Sequence, residues 1–173
     1  MARIRMSVAF GLAALLAACS SDSTSNPDGP GSSTDAGPPT NITADMKQAN
    51  ETGTGEPCTA AASGATGTLT GTISGDGNTI TVSITYSGLS SAAQMAHIHF
   101  GAPGVAGPVV VGFTNVGTSP ITATIKSTDS ITFPSGVANF ADFVAKMKAG
   151  MTYANIHTAN CGSGEIRGNI TTH

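Results

Sequence analysis

From Asn41 to His173 the chain alternates polar and apolar positions with period two, and the alternation breaks at regular turn signals. The segments ATGTLTGTIS (65–74) and NTITVSITYSG (78–88) interleave Thr or Ser with Leu, Ile, Val or Tyr, and Gly75, Asp76 and Gly77 lie between them. Two β-branched runs joined by a Gly-Asp-Gly-Asn connection predict a β-hairpin with one buried face. The same reasoning predicts strands at 42–48, 94–100, 108–113, 121–127, 152–158 and 164–171, each bounded by Gly, Pro, Asn or Ser. One segment departs from the pattern. In VANFADFVAKMKAG (137–150), Val137, Phe140, Phe143, Val144 and Met147 recur at spacings of three and four. That predicts a short amphipathic helix, capped by Ser135 or Asn139 and stopped by Gly150. The expected fold is therefore all-β: an antiparallel, Ig-like or Greek-key β-sandwich with one short helix before the last two strands, built from a single core of about 130 residues.

Ahead of this domain the pattern is different. MARIRMSVAFGLAALLAAC places Arg3 and Arg5 before an uncharged apolar run ending at Cys19, the layout of a secretory signal peptide over residues 1–18. The run is too short to span a hydrocarbon core of about 30 Å comfortably. Leu16, Ala17, Ala18 and Cys19 resemble a bacterial lipobox, which implies diacylglycerol on the Cys19 thiol and cleavage that makes Cys19 the new N-terminus. Several acyl chains hold stably to a membrane where one is marginal. Ser20 at the following position implies sorting to the outer membrane, facing either the periplasm or the surface. Residues 19–41 then carry a Ser/Gly/Pro/Asp-rich stretch with too little apolar surface to fold. It is expected to act as a tether on the order of 25 Å long on average.

Composition narrows the function. The 173 residues include seven basic and ten acidic side chains, for a formal charge of −3. Removing Arg3 and Arg5 with the signal leaves five bases against ten acids, a charge of −5. An acidic protein with scattered bases lacks the electrostatic footprint of a nucleic-acid binder. The chemistry of an enzyme is also hard to find. No Ser stands in G-x-S-x-G, no carboxylate pair marks a glycosidase cleft, and Gly101-Ala102-Pro103-Gly104 leads into strand-like sequence rather than a phosphate-binding helix. The domain is read as non-catalytic, with the membrane as one partner and an extracytoplasmic protein or envelope component as the other. Once Cys19 is lipidated, Cys58 and Cys161 remain as an even pair in an oxidising compartment. That points to a disulfide, with two free thiols or a two-cysteine metal site as the alternatives.

The segments MAHIHFGAPGVAGPVVVGF (95–113) and MTYANIHTANCGSGEIRGNI (151–170), with ITADMKQANET (42–52) and GLSSAAQMAHIH (88–99), resemble the CHRD domain, a family named for the animal extracellular protein chordin. The resemblance covers residues 42–171 and rests on A-H-I-H-x-G with G-P-V-V, Y-x-N-[IV]-H-T and G-E-I-R-G occurring in that order. The chain departs from the family pattern at Glu56-Pro57-Cys58 and at Asn160-Cys161. The family implies a fold more firmly than an activity.

Three of the chain's four histidines fall inside these signatures. His97 and His99 are two apart on one predicted strand, so both leave the same face, and His157 lies on another strand. With His157, they make an imidazole set suited to copper or zinc. The H-x-H pair and a disulfide reaching the C-terminal region are loosely similar to copper and zinc superoxide dismutases, but a two-metal centre needs more histidines than this chain has, since His173 is terminal. The alternative requires no cofactor: His97, His99 and His157 with Tyr153, Asn155, Glu165 and Arg167 would form a buried polar network that fixes strand register.

Overall fold

The computed structural model describes residues 36–52, 58 and 64–173. The signal peptide, Cys19 and the tether up to residue 35 lie outside the described residues. Among the described residues, nine strands and one α-helix follow in the order β1 (Thr40–Lys47), β2 (Thr66–Ile73), β3 (Thr79–Ser87), β4 (Ala93–Phe100), β5 (Val109–Gly112), β6 (Ile121–Lys126), α1 (Phe140–Lys148), β7 (Thr152–Thr158), β8 (Cys161–Asn169) and β9 (Thr171–Thr172). A single 3-10 turn, Gln48–Asn50, follows β1. Among the described residues no helix is long and apolar enough to cross a membrane.

All pairings are antiparallel. The strands form one hydrogen-bonded path, β5-β4-β7-β8-β1-β2-β3-β6, with β9 pairing β1. β1, β2 and β3 form a meander, and the chain then crosses to the far end to lay down β4 and β5. It returns to place β6 beside β3, and the β7–β8 hairpin is inserted between β4 and β1. The all-β, antiparallel sandwich expected from the alternation is thus found as one sheet curled over a shared core. That core takes Ile42 and Met46 from β1, Leu69 and Ile73 from β2, Ile80 and Ile84 from β3, Ile98 from β4, Ile156 from β7 and Ile166 from β8, all fully buried. Each is an apolar position of a period-two segment, which is why the register is strongly set: a slip of one residue would expose the whole row.

The β2–β3 hairpin turns as the Gly-Asp-Gly-Asn sequence requires. Gly77 has φ +71°, and the Asp76 carboxylate accepts from the Ser74 hydroxyl and the Asn78 N–H. The helix is shorter than 137–150. Asn139 is its N-cap, accepting from the Asp142 N–H, while Phe140, Phe143, Val144 and Met147 face the core. Gly150, at φ +70°, ends it. The last predicted strand, 164–171, begins earlier and divides. β8 pairs β7, and after Ile170, whose N–H is held by the Thr152 carbonyl, β9 pairs β1 instead.

Candidate functional site

The core explains one face of β4, β7 and β8, where Ala96, Ile98, Ala154, Ile156 and Ile166 project. The other face is polar, yet every residue of β7 is buried. In register across these strands lie His99 opposite Tyr153 and Asn169, His97 opposite Asn155 and Arg167, and Met95 opposite His157. Strand alternation puts all of them on the same side. Loop 101–108 and the residues leaving β1 lie against this layer: Thr52 and Glu51 bond Arg167 and Asn155, and Cys58 is joined to Cys161 at the start of β8 by a disulfide. The disulfide expected from the cysteine count is present.

The three histidines come together. Their donor nitrogens lie within 4.8 Å of one another, and His97 Nδ1 is 3.1 Å from His157 Nε2. Protonation states follow from the partners, because a carbonyl oxygen can only accept. His99 Nδ1–H donates to the Gly107 carbonyl at 2.9 Å, and His157 Nδ1–H donates to the Gly162 carbonyl at 3.0 Å. Both rings therefore keep an Nε2 lone pair directed into the layer, and that of His99 is buried without a hydrogen-bond partner. His97 Nδ1–H must then be the donor to His157. Burial lowers the pKa of all three rings, that of His99 to about 4, so the imidazoles are neutral at pH 7. Register shifts fall at two of these rings and just before the third: between Ile98 and His99 in the β4–β5 ladder, across His157 in β7–β8, and between Ala93 and Met95, ahead of His97, in β4–β7. Bulges of this kind re-aim side chains beside functional sites.

The remaining predicted residues divide. Arg167, 1% exposed, donates from Nη2 to the carbonyls of Ala102 and Val105 and from Nη1 to the Thr52 hydroxyl. It clamps the Ala102-Pro103-Gly104-Val105 turn, closed by the Val105 N–H to the Ala102 carbonyl. Pro at the second position and Gly104 at φ +77° in the third are what a type II turn demands. Tyr153 and Asn155 belong to the layer as expected. Glu165 shares the layer but does not touch a histidine. Its carboxylate accepts from the Ser90 N–H and hydroxyl and from the Thr158 hydroxyl. His173 is elsewhere, bonded to Thr43.

Sequence reasoning missed Glu51 and the two carbonyls that orient the rings. Glu51 accepts from Asn155 Nδ2 at 3.0 and 3.1 Å, and burial pushes its pKa up to about 7 against the opposing pull of Arg167 and Asn155. Backbone carbonyls carry no residue signature. Glu51, in the short Glu-Thr segment after β1, gave only proximity in sequence to a strand end.

A curled antiparallel sheet with a buried His, Tyr and Arg layer beside a disulfide-tied segment defines a small, stapled all-β domain. The CHRD domain pattern matches residues 42–170, and the chain belongs to the CHRD domain family. No curated protein matches it.

Proposed function

We propose that this chain is an exported, lipid-anchored and non-catalytic CHRD protein whose domain binds one copper or zinc ion between His97 Nδ1, His99 Nε2 and His157 Nε2. The observation that carries the reading is the pair of Nδ1–H to carbonyl bonds at His99 and His157. They fix the tautomers as outer-shell partners do in metal sites, and they leave the Nε2 atoms of His99 and His157 unprotonated in a set whose donor atoms lie within 4.8 Å of one another. Bonds of about 2.0–2.1 Å to a trigonal cation would set the nitrogens about 3.5 Å apart, a contraction of about 1 Å at the widest pair. The proton on His97 Nδ1 would move to its Nε2, on a ring that is partly open to solvent.

Elemental analysis of the purified protein after equilibration with copper or zinc and desalting tests the site. One equivalent is expected in the wild type and under a tenth of that in His97→Ala/His99→Ala; equal metal content rejects it. The lipobox resemblance supports the anchor, and radioactive palmitate should label the wild type but not Cys19→Ala. A second reading, a polar layer that only fixes register, is favoured for its other half. Glu165 and Arg167 have protein partners on nearly every polar atom and need no ligand. On that reading alone, His97→Ala would lower the melting temperature without any metal to lose.

A further inference from the structure

A further soft donor shares the strand face of the three histidines. Met95 precedes His97 by two residues, so it leaves β4 on the same face as His97 and His99, and it is the Cα partner of His157 across β4–β7. Directly opposed residues in an antiparallel pair have Cβ atoms about 4.5–5.5 Å apart, and an unbranched thioether with three rotatable bonds can cover the remaining distance. Its pairing with His157 depends on the register shift between Ala93 and Met95. Burial of apolar surface does not account for Met95, which is 45% exposed.

Its surroundings point the same way. The exposed large apolar side chains among the described residues are Met95, Val105 and Val109, and two of them, Met95 and Val109, are cross-strand partners of His157 and His99. Val109 is the partner of His99 in β5, and Val105 belongs to the turn clamped by Arg167. Opposite His97 in β5 stands Gly112, where a Cβ would lie 3.6 Å from the His97 ring, so residue 112 puts no side chain over the ring. The donors on this face are three neutral imidazoles and a thioether, with no carboxylate among them. Of the two acids in the layer, Glu165 is held by Ser90 and Thr158 and Glu51 by Asn155.

We infer that Met95 is the fourth ligand of the histidine centre and that the cation it takes is cuprous copper, a soft monovalent ion. Thioether sulfur selects Cu(I), while zinc prefers imidazole, thiolate or carboxylate. A neutral donor set leaves one net positive charge with Cu(I) and two with zinc, and the second charge is the costlier one to desolvate. This rests on the three-histidine site proposed above.

The test uses the purified protein under anaerobic, reducing conditions, with Cu(I) partitioned against a chromophoric cuprous chelator. X-ray absorption at the copper edge reads the ligands. The wild type should take one Cu(I) and show a sulfur scatterer together with nitrogen. Met95→Leu, which keeps the volume of an exposed side chain, should lose the sulfur scatterer and bind Cu(I) on the order of tenfold more weakly. If His97→Ala/His99→Ala binds Cu(I) as the wild type does, the three-histidine site itself is wrong. If that variant loses copper while Met95→Leu keeps wild-type affinity and scattering, the histidine site stands and the Met95 assignment falls. A wild type that binds zinc but leaves Cu(I) with the chelator overturns the cuprous assignment.

Discussion

The guanidinium carbon of Arg167 sits 3.4 Å from the centroid of the Tyr153 ring, and from the β4 side of the same ring His99 stacks at 4.7 Å with the planes 7° apart. β7 lies between β4 and β8, so Tyr153 joins the arginine that clamps loop 101–108 to the histidine centre. A desolvated cation–π contact contributes about 2 kcal/mol, and Lys cannot reproduce a planar fork shared among three acceptors. Arg167→Lys should cost about 2–3 kcal/mol by urea denaturation. Tyr153→Leu should cost a comparable amount, and the double variant less than the sum by about 1 kcal/mol or more. Strict additivity would show that the two side chains are merely adjacent.

Stability should respond to pH through two opposed sets of groups. The histidines are depressed in the fold, that of His99 to about 4. Between that value and the ordinary 6.5 the unfolded chain holds more protons, and stability falls as pH falls. Glu51 is raised from 4.5 to about 7. In that window the folded chain holds the extra proton, and stability falls as pH rises. The two trends partly cancel near pH 5–6. Glu51→Gln removes one of them, so the metal-free variant should be more stable than the wild type at pH 8 by about 1–3 kcal/mol. It should also lose stability more steeply on acidification. Parallel pH profiles would count against a protonated Glu51.

The strands and the helix were legible because each has one apolar row to bury, and period two or three to four in the sequence states which row. The same logic put His97, His99, Tyr153, Asn155, His157 and Arg167 on strands. It could not show that their face is covered, because the cover comes from loop 101–108 and from Glu51, Thr52 and Cys58, which have no periodicity. Nor could it orient the imidazoles, since Gly107 and Gly162 act through carbonyls that every residue has. The spacing Met95-x-His97-x-His99 was readable as a same-face triplet. It gained meaning only when the shifted β4–β7 register set Met95 against His157.

The Cys58–Cys161 disulfide, whose partners are 103 positions apart in sequence, ties the segment after β1 to the start of β8. In the chain-entropy account a loop of this length stabilises by up to about 4–5 kcal/mol. Cys58→Ser/Cys161→Ser should lower the metal-free unfolding free energy by about 2–5 kcal/mol, and reductant should destabilise the wild type while leaving the double variant unchanged. A wild type indifferent to reductant after full thiol titration would show that the crosslink adds no stability.

Two glycines of loop 101–108 separate backbone strain from ring orientation. Gly104 has φ +77° in the Pro103-Gly104 turn, and a Cβ there would meet nothing. Gly104→Ala should cost about 1 kcal/mol or somewhat more, from the left-handed backbone alone. Gly107 is different: a Cβ there would run into the Phe100 carbonyl. Its own N–H donates to the Tyr153 hydroxyl at 3.1 Å and its carbonyl holds His99 Nδ1–H. Gly107→Ala must therefore move the segment that fixes the His99 tautomer. Its cost should exceed that of Gly104→Ala, at about 2–4 kcal/mol. The distinguishing readout is the ring: the His99 Nδ1–H resonance should shift or exchange faster in Gly107→Ala and stay in place in Gly104→Ala. If both variants leave it unmoved, the ring is held by its stack on Tyr153 rather than by the Gly107 carbonyl.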